Sequence, residues 1–175
     1  MRLTGILIYC LRAATFAAAV CALYALINWL RGRRVRPGRL VALAYLAALI
    51  QITVIRGGVN WAQVLTATRD APRMVPLQTT MEELRAGAWP LIYHVVGNLA
   101  WFVPLGVLLR RRSGLVALLA GAGASVCIEL MQYLLMTGMS DVDDVLLNAL
   151  GALLGWGLAR LMLAIFPCFC YNKTE

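Results

Sequence analysis

Five long apolar stretches are the feature that most constrains the fold of this chain. They cover residues 6–30, 40–55, 89–109, 114–136 and 142–166. A helix needs about 20 mostly apolar residues to cross the hydrocarbon core of a bilayer. The chain is 62% hydrophobic and 14% charged, whereas a soluble domain has about 45–50% apolar and about 25% charged residues. A soluble globular protein and a disordered chain are therefore excluded, and the sequence predicts an all-α, polytopic bundle of about five transmembrane helices.

A polar segment, residues 56–88, separates the second predicted span from the third. Pro72 and Pro76 interrupt this segment and argue against one continuous helix there. The second span is the shortest of the five, so we expect it to tilt or to thin the bilayer locally. Because no internal repeat or low-complexity stretch divides the chain, we expect a single membrane domain over residues 1–175.

The distribution of basic residues predicts how the helices are oriented. Arginines concentrate in the loops after the first and third spans: Arg31, Arg33, Arg34, Arg36, Arg39, Arg110, Arg111 and Arg112. The opposite loops hold fewer basic residues and most of the acidic ones. Cytoplasmic loops of membrane proteins carry an excess of Lys and Arg. We therefore predict an outer amino terminus, two amino-terminal spans within residues 1–55, and a cytoplasmic tail at residues 167–175.

Several ionisable and amide side chains lie within the last three predicted spans. At helical spacing they form one polar stripe on each span: His94 and Asn98 on the third, Glu129 and Gln132 on the fourth, and Asp141, Asp144 and Asn148 on the fifth. With a rise of about 1.5 Å per residue, the stripes lie at similar depths below the outer ends of their helices. Polar groups at such depth are costly, and their shared level predicts a polar pocket that opens to the outside.

The start of the fifth span also has a purely structural explanation. Ser140 or Asp141 can cap the helix, because their side chains accept hydrogen bonds from its first N–H groups. Asp143 and Asp144 can complement the positive end of the helix dipole. Capping and ligand binding both remain open for this cluster.

The other polar residues have structural alternatives as well. Asn98 and Asn148 can join neighbouring helices by hydrogen bonds, and His94 can be a packing residue near the interface. Glu129 is the hardest to explain in this way, because an unpaired carboxylate in lipid must be protonated or find a partner. Further along the fifth span, Gly151 and Gly155 form a Gly-x-x-x-Gly pair that predicts close helix packing.

These residues also carry a resemblance to a known family. Asn98, Phe102, Pro104 and Gly106 form an N-x-x-x-F-x-P-x-G pattern that resembles a segment of the VanZ-like family of bacterial membrane proteins. Later motifs of that family are similar in order and spacing to Glu129, Gln132, Asp141, Asp144, Asn148 and Gly151, and a short element ahead of them is similar to residues 74–77. The resemblance covers residues 74–157. The family usually has a basic residue in the turn before the Asp pair, whereas residues 137–140 contain none.

The resemblance implies a biological setting. The namesake of the family is an accessory glycopeptide-resistance protein, so we expect a multi-pass protein of the bacterial cytoplasmic membrane that contributes to resistance against teicoplanin-type lipoglycopeptides. Its pocket is expected to bind an amphiphile, either a lipoglycopeptide or a lipid-linked envelope precursor. The expected ligand-binding residues are Asn98, Glu129, Gln132, Asp141, Asp144 and Asn148, with Arg56 and Arg73 meeting a phosphate or carboxylate from the loop.

Two other function classes remain open from the residues alone. In a membrane enzyme acting on envelope lipids, Glu129, Asp144 and His94 are the catalytic candidates, because carboxylates of different burial can divide acid and base roles. Asp141, Asp144 and Glu129 can instead hold Mg²⁺ or Ca²⁺. A proton or ion path through Glu129 is the third possibility. We expect no organic cofactor and no nucleic-acid partner, since the basic residues lie in short loops at helix ends; membrane lipids are the expected surroundings.

Overall fold

The computed structural model describes residues 3–55 and 58–166, and the regular elements in these residues are all helical. The predicted tail at 167–175 and the candidate ligand residue Arg56 lie outside the described residues. The α-helices are α1 (Leu3–Leu30), α2 (Pro37–Ile50), α3 (Trp61–Thr66), α4 (Gln78–Ala86), α5 (Ala88–Leu108), α6 (Gly114–Leu135) and α7 (Val142–Ile165).

Five of the described helices are long and apolar enough to cross a membrane. These candidate spans are Cys10–Leu30, Pro37–Ile55, Ala88–Leu108, Gly114–Leu135 and Val142–Ile165. The prediction of an all-α chain with about five spans is confirmed. Pro72 and Pro76 lie between α3 and α4, so the prediction that no continuous helix fills the polar segment is confirmed too.

The second span is longer than the sequence predicted. It begins at Pro37 instead of residue 40, because proline is well suited to the first turn of a helix, where its missing N–H costs nothing. It continues past Ile50 into a π-helical segment, Gln51–Ile55, in which hydrogen bonds run from i to i+5. The span then has 19 residues, so it begins earlier and is longer than residues 40–55, although it is still the shortest of the five candidate spans.

The chain divides into two compact units, and the first contains Met1–Asp70 and Leu130–Met139. Its buried apolar side chains include Ala13 of α1 and Ala47 and Leu49 of α2. Val54 of the π-helical segment is also buried. Within this unit the Nε2 amide of Gln132 donates to the carbonyl oxygen of Thr53 at 2.9 Å.

The second unit contains Ala71–Glu129 and Ser140–Glu175. Its central feature is the pairing of α5 with α7 through three glycines, which we call the glycine seam: Gly106 on α5, and Gly151 and Gly155 on α7. A Cβ atom added to Gly151, Gly155 or Gly106 would lie 2.3, 2.0 or 1.9 Å from the carbonyl oxygens of Leu99, Val103 and Ala152, respectively.

The seam therefore brings the two backbones into direct contact, as small residues do in membrane helix pairs. The prediction of close packing at Gly151 and Gly155 is confirmed. Gly151 meets Leu99 and Gly155 meets Val103, so residue numbers rise together on both sides of the seam. The helices α5 and α7 are therefore parallel, and their amino-terminal ends lie at the same end of the unit.

Candidate functional site

The amino-terminal end of α7 is fixed by its own capping residue. Asp141 is the N-cap, and its Oδ1 atom accepts a hydrogen bond of 2.8 Å from the backbone N–H of Asp143. This bond satisfies one of the N–H groups that a helix leaves unpaired at its start. The structural prediction for Asp141 is thus confirmed, and the backbone around it is held in one conformation.

Two further segments hold this cap in place. The backbone of Arg73 pairs with the cap residues, donating to the carbonyl oxygen of Ser140 at 2.8 Å and accepting from the N–H of Val142 at 3.0 Å. The backbone N–H of Asp141 donates to Oε2 of Glu129 at 2.9 Å. Glu129 is 7% exposed, so its carboxylate is a buried acceptor that ties α6 to the start of α7.

Asp143 joins the start of α7 to the start of α4. Its Oδ2 atom accepts from the N–H of Thr80 at 2.8 Å and from the hydroxyl of Thr80 at 2.9 Å, while its Oδ1 atom accepts from the N–H of Leu77. Leu77, the N-cap of α4, has no capping side-chain bond of its own and has φ +64°. A left-handed conformation is unfavourable for leucine, so the 1% exposed Asp143 stabilises both the cap and its unusual backbone.

A partly exposed network continues from Asp141 along α4. The hydroxyl of Thr79 donates to Oδ2 of Asp141. An Nη1 group of Arg73 lies 3.0 Å from Oγ1 of Thr79 and 2.9 Å from Oε2 of Glu82. The side chains of Arg73 and Glu82 are 33% and 45% exposed, so this ion pair is largely hydrated and contributes little to stability.

His94, Asn98 and Asp144 form a separate group between α5 and α7. The amide Nδ2 of Asn98 donates to Oδ1 of Asp144 at 2.7 Å, and Nδ1 of His94 lies 3.7 Å from the same oxygen. The side chains of His94 and Asp144 are 13% and 23% exposed. The other ring nitrogen of His94, Nε2, is buried and has no hydrogen-bond partner among the described residues.

One helical turn further into the bundle, Asn148 forms an inter-helical hydrogen bond. Its Nδ2 group donates to Oγ of Ser125 on α6 at 2.8 Å, and both residues are buried. The amide oxygen of Asn148 has no partner in the described part of the chain. Asn98 and Asn148 thus both join helices, as the structural alternative for these amides predicted.

The structure brings together most, not all, of the predicted site residues. Within the second unit, Arg73, Glu129 and Asp141 form one connected network, His94, Asn98 and Asp144 form another, and Asn148 lies one turn beyond Asp144 on α7. Gln132 belongs to the first unit, where it binds the Thr53 carbonyl.

The metal candidates are engaged by the protein itself. Both carboxylate oxygens of Asp141 accept hydrogen bonds from protein donors, and Oε2 of Glu129 does so too. In residues 3–55 and 58–166, no group of three or more His, Cys, Asp and Glu side chains is arranged to hold a metal ion.

Sequence reasoning missed four participants: Leu77, Thr79, Thr80 and Ser125. It treated Asp143 only as a complement to the helix dipole, because this residue lies on a different helical face from Asp141 and Asp144. Its partners are 63 and 66 positions away in the chain, and a single sequence shows no sign of such a pairing. The nearest signal was the short motif at residues 74–77, which stands directly before α4.

These features define the class of the protein: it is a multi-pass membrane protein with a polar cluster at the parallel amino-terminal ends of α5 and α7. The family model of VanZ/LLP1 matches residues 42–163, well over half of the chain. The chain belongs to the VanZ/LLP1 family. The match begins within α2, ahead of the motifs at residues 74–157, so the second span is part of the family region. No curated protein and no solved structure matches the chain.

Proposed function

We propose that this VanZ-like protein binds an amphiphilic ligand at the polar cluster of the second unit and so contributes to resistance against teicoplanin-type lipoglycopeptides. The ligand is the lipid-bearing antibiotic itself or a lipid-linked precursor of the cell envelope. Membership of the VanZ/LLP1 family supports this setting. The arginine-rich loops at the opposite helix ends support an outward-facing site in a bacterial cytoplasmic membrane.

The observation that carries the proposal is the partly exposed pair of His94 and Asp144. Asp141 and Asp143 are almost completely buried and accept hydrogen bonds from the protein. Asp144 and His94 retain partial exposure, and Nε2 of His94 has no partner in the described residues. A buried polar atom without a partner costs about 1–3 kcal/mol, so a ligand group that binds Nε2 gains affinity from this unmet hydrogen bond.

The chemistry of the pair indicates which ligand group fits. In the tautomer that carries its proton on Nδ1, Nε2 of an imidazole presents a lone pair, which accepts a hydrogen bond from a hydroxyl or an amine. The carboxylate of Asp144 beside His94 favours a hydrogen-bond donor over a phosphate at this position. The polar part of the amphiphile is therefore expected to be a hydrogen-bond donor.

Drug susceptibility of a Gram-positive host tests this proposal. Cells expressing the intact chain are expected to tolerate more teicoplanin than the empty host, with little change for vancomycin. Asp144→Asn and His94→Gln are expected to return the inhibitory concentration to that of the host, because each removes one member of the partly exposed pair. All proteins are compared at matched levels in the membrane fraction.

Asp70→Asn is the matched control, since it removes one negative charge from an exposed residue of the first unit. This variant is expected to protect as well as the intact chain. Full protection by Asp144→Asn at normal membrane levels would contradict the assigned site. Absence of any protection by the intact chain would contradict the role in teicoplanin resistance.

A specific contact also favours a second candidate, an enzyme that acts on lipid-linked envelope substrates. Asn98 holds Asp144, and Asp144 in turn lies beside Nδ1 of His94. A carboxylate that orients an imidazole leaves the other ring nitrogen to serve as a general base. Turnover of a lipid-linked precursor by the purified protein, lost in His94→Gln while the precursor still binds, would select this candidate over a binding protein.

A further inference from the structure

The short helix α4 has three distinct faces. Thr79, which is buried, and the partly buried Thr80 and Glu83 point toward the rest of the second unit. The remaining side chains are exposed, and the helical spacing of about 100° per residue separates them into an apolar and a polar stripe. The apolar stripe consists of Leu77, Met81 and Leu84, and the polar stripe consists of Gln78, Glu82 and Arg85.

The inward face is polar and is satisfied by the protein. Thr80 donates twice to Asp143, and Thr79 donates to Asp141. The helix is therefore attached to the unit by hydrogen bonds, whereas a surface helix of a soluble protein is attached by its apolar side chains. This reversal leaves the apolar side chains of α4 on the outside.

The side chains of the apolar stripe are about half exposed, which is unfavourable for apolar groups in water. Leu77, Met81 and Leu84 are 54%, 49% and 54% exposed, and Met74 and Val75 in the preceding turn are 70% and 61% exposed. Leu77, Met81 and Leu84 share one face of the helix at this spacing, and the exposed Met74 and Val75 precede that face in the chain. A surface of this kind marks contact with a partner or with a membrane.

The surface that follows in the chain identifies the partner. Gly87 connects α4 directly to α5, a candidate membrane span. The first turns of α5 expose Trp89 and Tyr93, at 82% and 77%, and exposed Trp and Tyr are enriched where spans enter the headgroup region. The apolar stripe is thus continuous with a face that lipid covers, at the level where the bilayer begins.

The polar stripe has the composition of a face turned toward headgroups and water. Nε2 of Gln78 donates to Oε1 of Glu82 at 3.0 Å, and Arg85 lies one turn further along the same stripe. Helices with an apolar and a charged face lie in the plane of the membrane interface, where each face meets the medium that suits it.

We propose that α4 is an interfacial helix whose apolar stripe contacts the acyl chains of one leaflet and whose polar stripe contacts the headgroups of the same leaflet. The hydrogen bonds of Thr79 and Thr80 then place the start of α7 at the boundary between headgroups and acyl chains. This assignment is independent of any ligand or resistance function.

Spin labels on the intact chain in lipid nanodiscs test the assignment. Cys10, Cys21, Cys127, Cys168 and Cys170 are first replaced by serine or alanine, and one cysteine is then introduced by Leu84→Cys or Arg85→Cys. These neighbours lie at nearly the same position along the helix axis but on different stripes. Nanodiscs contain phosphatidylethanolamine and phosphatidylglycerol, and each label is exposed to oxygen, which concentrates in acyl chains, and to a water-soluble nickel chelate.

The label at residue 84 is expected to collide more with oxygen than with the nickel chelate, and the label at residue 85 the reverse. Val96→Cys on the exposed face of α5 provides the reference for full acyl contact, and the value at residue 84 is expected to approach it. Met81→Cys tests the same stripe if Leu84→Cys does not fold. Equal access of nickel to residues 84 and 85 would place α4 in water. Shielding of residue 84 from both reagents would mean that protein, a second copy included, covers the stripe. Either result overturns the proposal.

Discussion

Two segments of α7 bind α5 by opposite means. In the middle of the helix, Gly151 and Gly155 bring the two backbones into direct contact. In its first turn, which we call the polar end, the contact is the hydrogen bond between Asn98 and Asp144. The seam has no room for an added Cβ, whereas the polar end has partly exposed side chains and a His94 ring nitrogen without a partner among the described residues.

The difference indicates that separate segments of α7 fix the helix packing and present polar side chains. Backbone contact at the seam fixes the register of α7 on α5, because a shift of either helix would drive Cα atoms into carbonyl groups. Because the seam fixes this register, it also places Asn98 beside Asp144, and the hydrogen bond between them is not required to align the helices. Mutations can therefore test the glycine seam and the polar end separately.

The largest effect is expected from filling the seam. Gly155→Ala adds a Cβ that would lie 2.0 Å from the carbonyl oxygen of Val103, so the two backbones must separate. We expect a loss of stability of about 3 kcal/mol, at the upper end of the cost of overpacking, and a clearly lower thermal unfolding temperature in detergent. Gly157→Ala is the control on the same helix, since nothing lies within 4 Å of its added Cβ. Equal stability of the two variants would mean that the seam is not a rigid contact.

A smaller effect is expected from a substitution of Asp143, the buried carboxylate at the polar end. Asp143→Asn replaces one acceptor oxygen with an NH₂ group, so a donor would face the N–H of Leu77 or the donors of Thr80. We expect a loss of about 2 kcal/mol, together with faster hydrogen exchange in α4. Asp144→Asn keeps an oxygen for Asn98 and is expected to cost less. If Asp144→Asn were the more damaging of the two, the division between a structural and an exchangeable carboxylate would be wrong.

The smallest effect is expected at the exposed end of the polar network. Glu82→Gln removes the charge partner of Arg73 at a site where both side chains are substantially exposed. Ion pairs of this kind contribute about 0–1 kcal/mol, so the unfolding temperature is expected to change little and its salt dependence to decrease slightly. A stability loss as large as that of Asp143→Asn would show that this ion pair is a structural tie.

Hydropathy and spacing were sufficient to predict the helices that cross the membrane, because apolar length is what the bilayer requires. They also predicted the packing of Gly151 and Gly155, and they narrowed the cap of α7 to Ser140 or Asp141, of which Asp141 is the cap. These are properties of one helix and its immediate neighbours in sequence, which a single chain reveals directly.

Other features depend on contacts that sequence periodicity does not contain. The π-helical segment Gln51–Ile55 changes only the hydrogen-bond pattern of an apolar stretch, so a hydropathy profile does not reveal it. The pairing of Asp143 with Leu77 and Thr80 joins the starts of two helices that are far apart in the chain. Counting residues put Asn98 and Asp144 in one polar group, but it did not distinguish carboxylates that the protein saturates from the one that stays accessible.

The cap of α4 also has a consequence for the order in which the protein is made. The ribosome completes α4 well before Asp143 leaves it, because the residue that caps Leu77 follows 66 positions later. Until α7 is inserted, the first N–H groups of α4 and the hydroxyls of Thr79 and Thr80 lack their partners, and α5 lacks the backbone that fills its seam. Closing so long a loop is a late step. The polar cluster therefore assembles only once α7 is inserted, because a nascent chain truncated before residue 141 holds four-fifths of the sequence but lacks Asp141, Asp143 and Asp144.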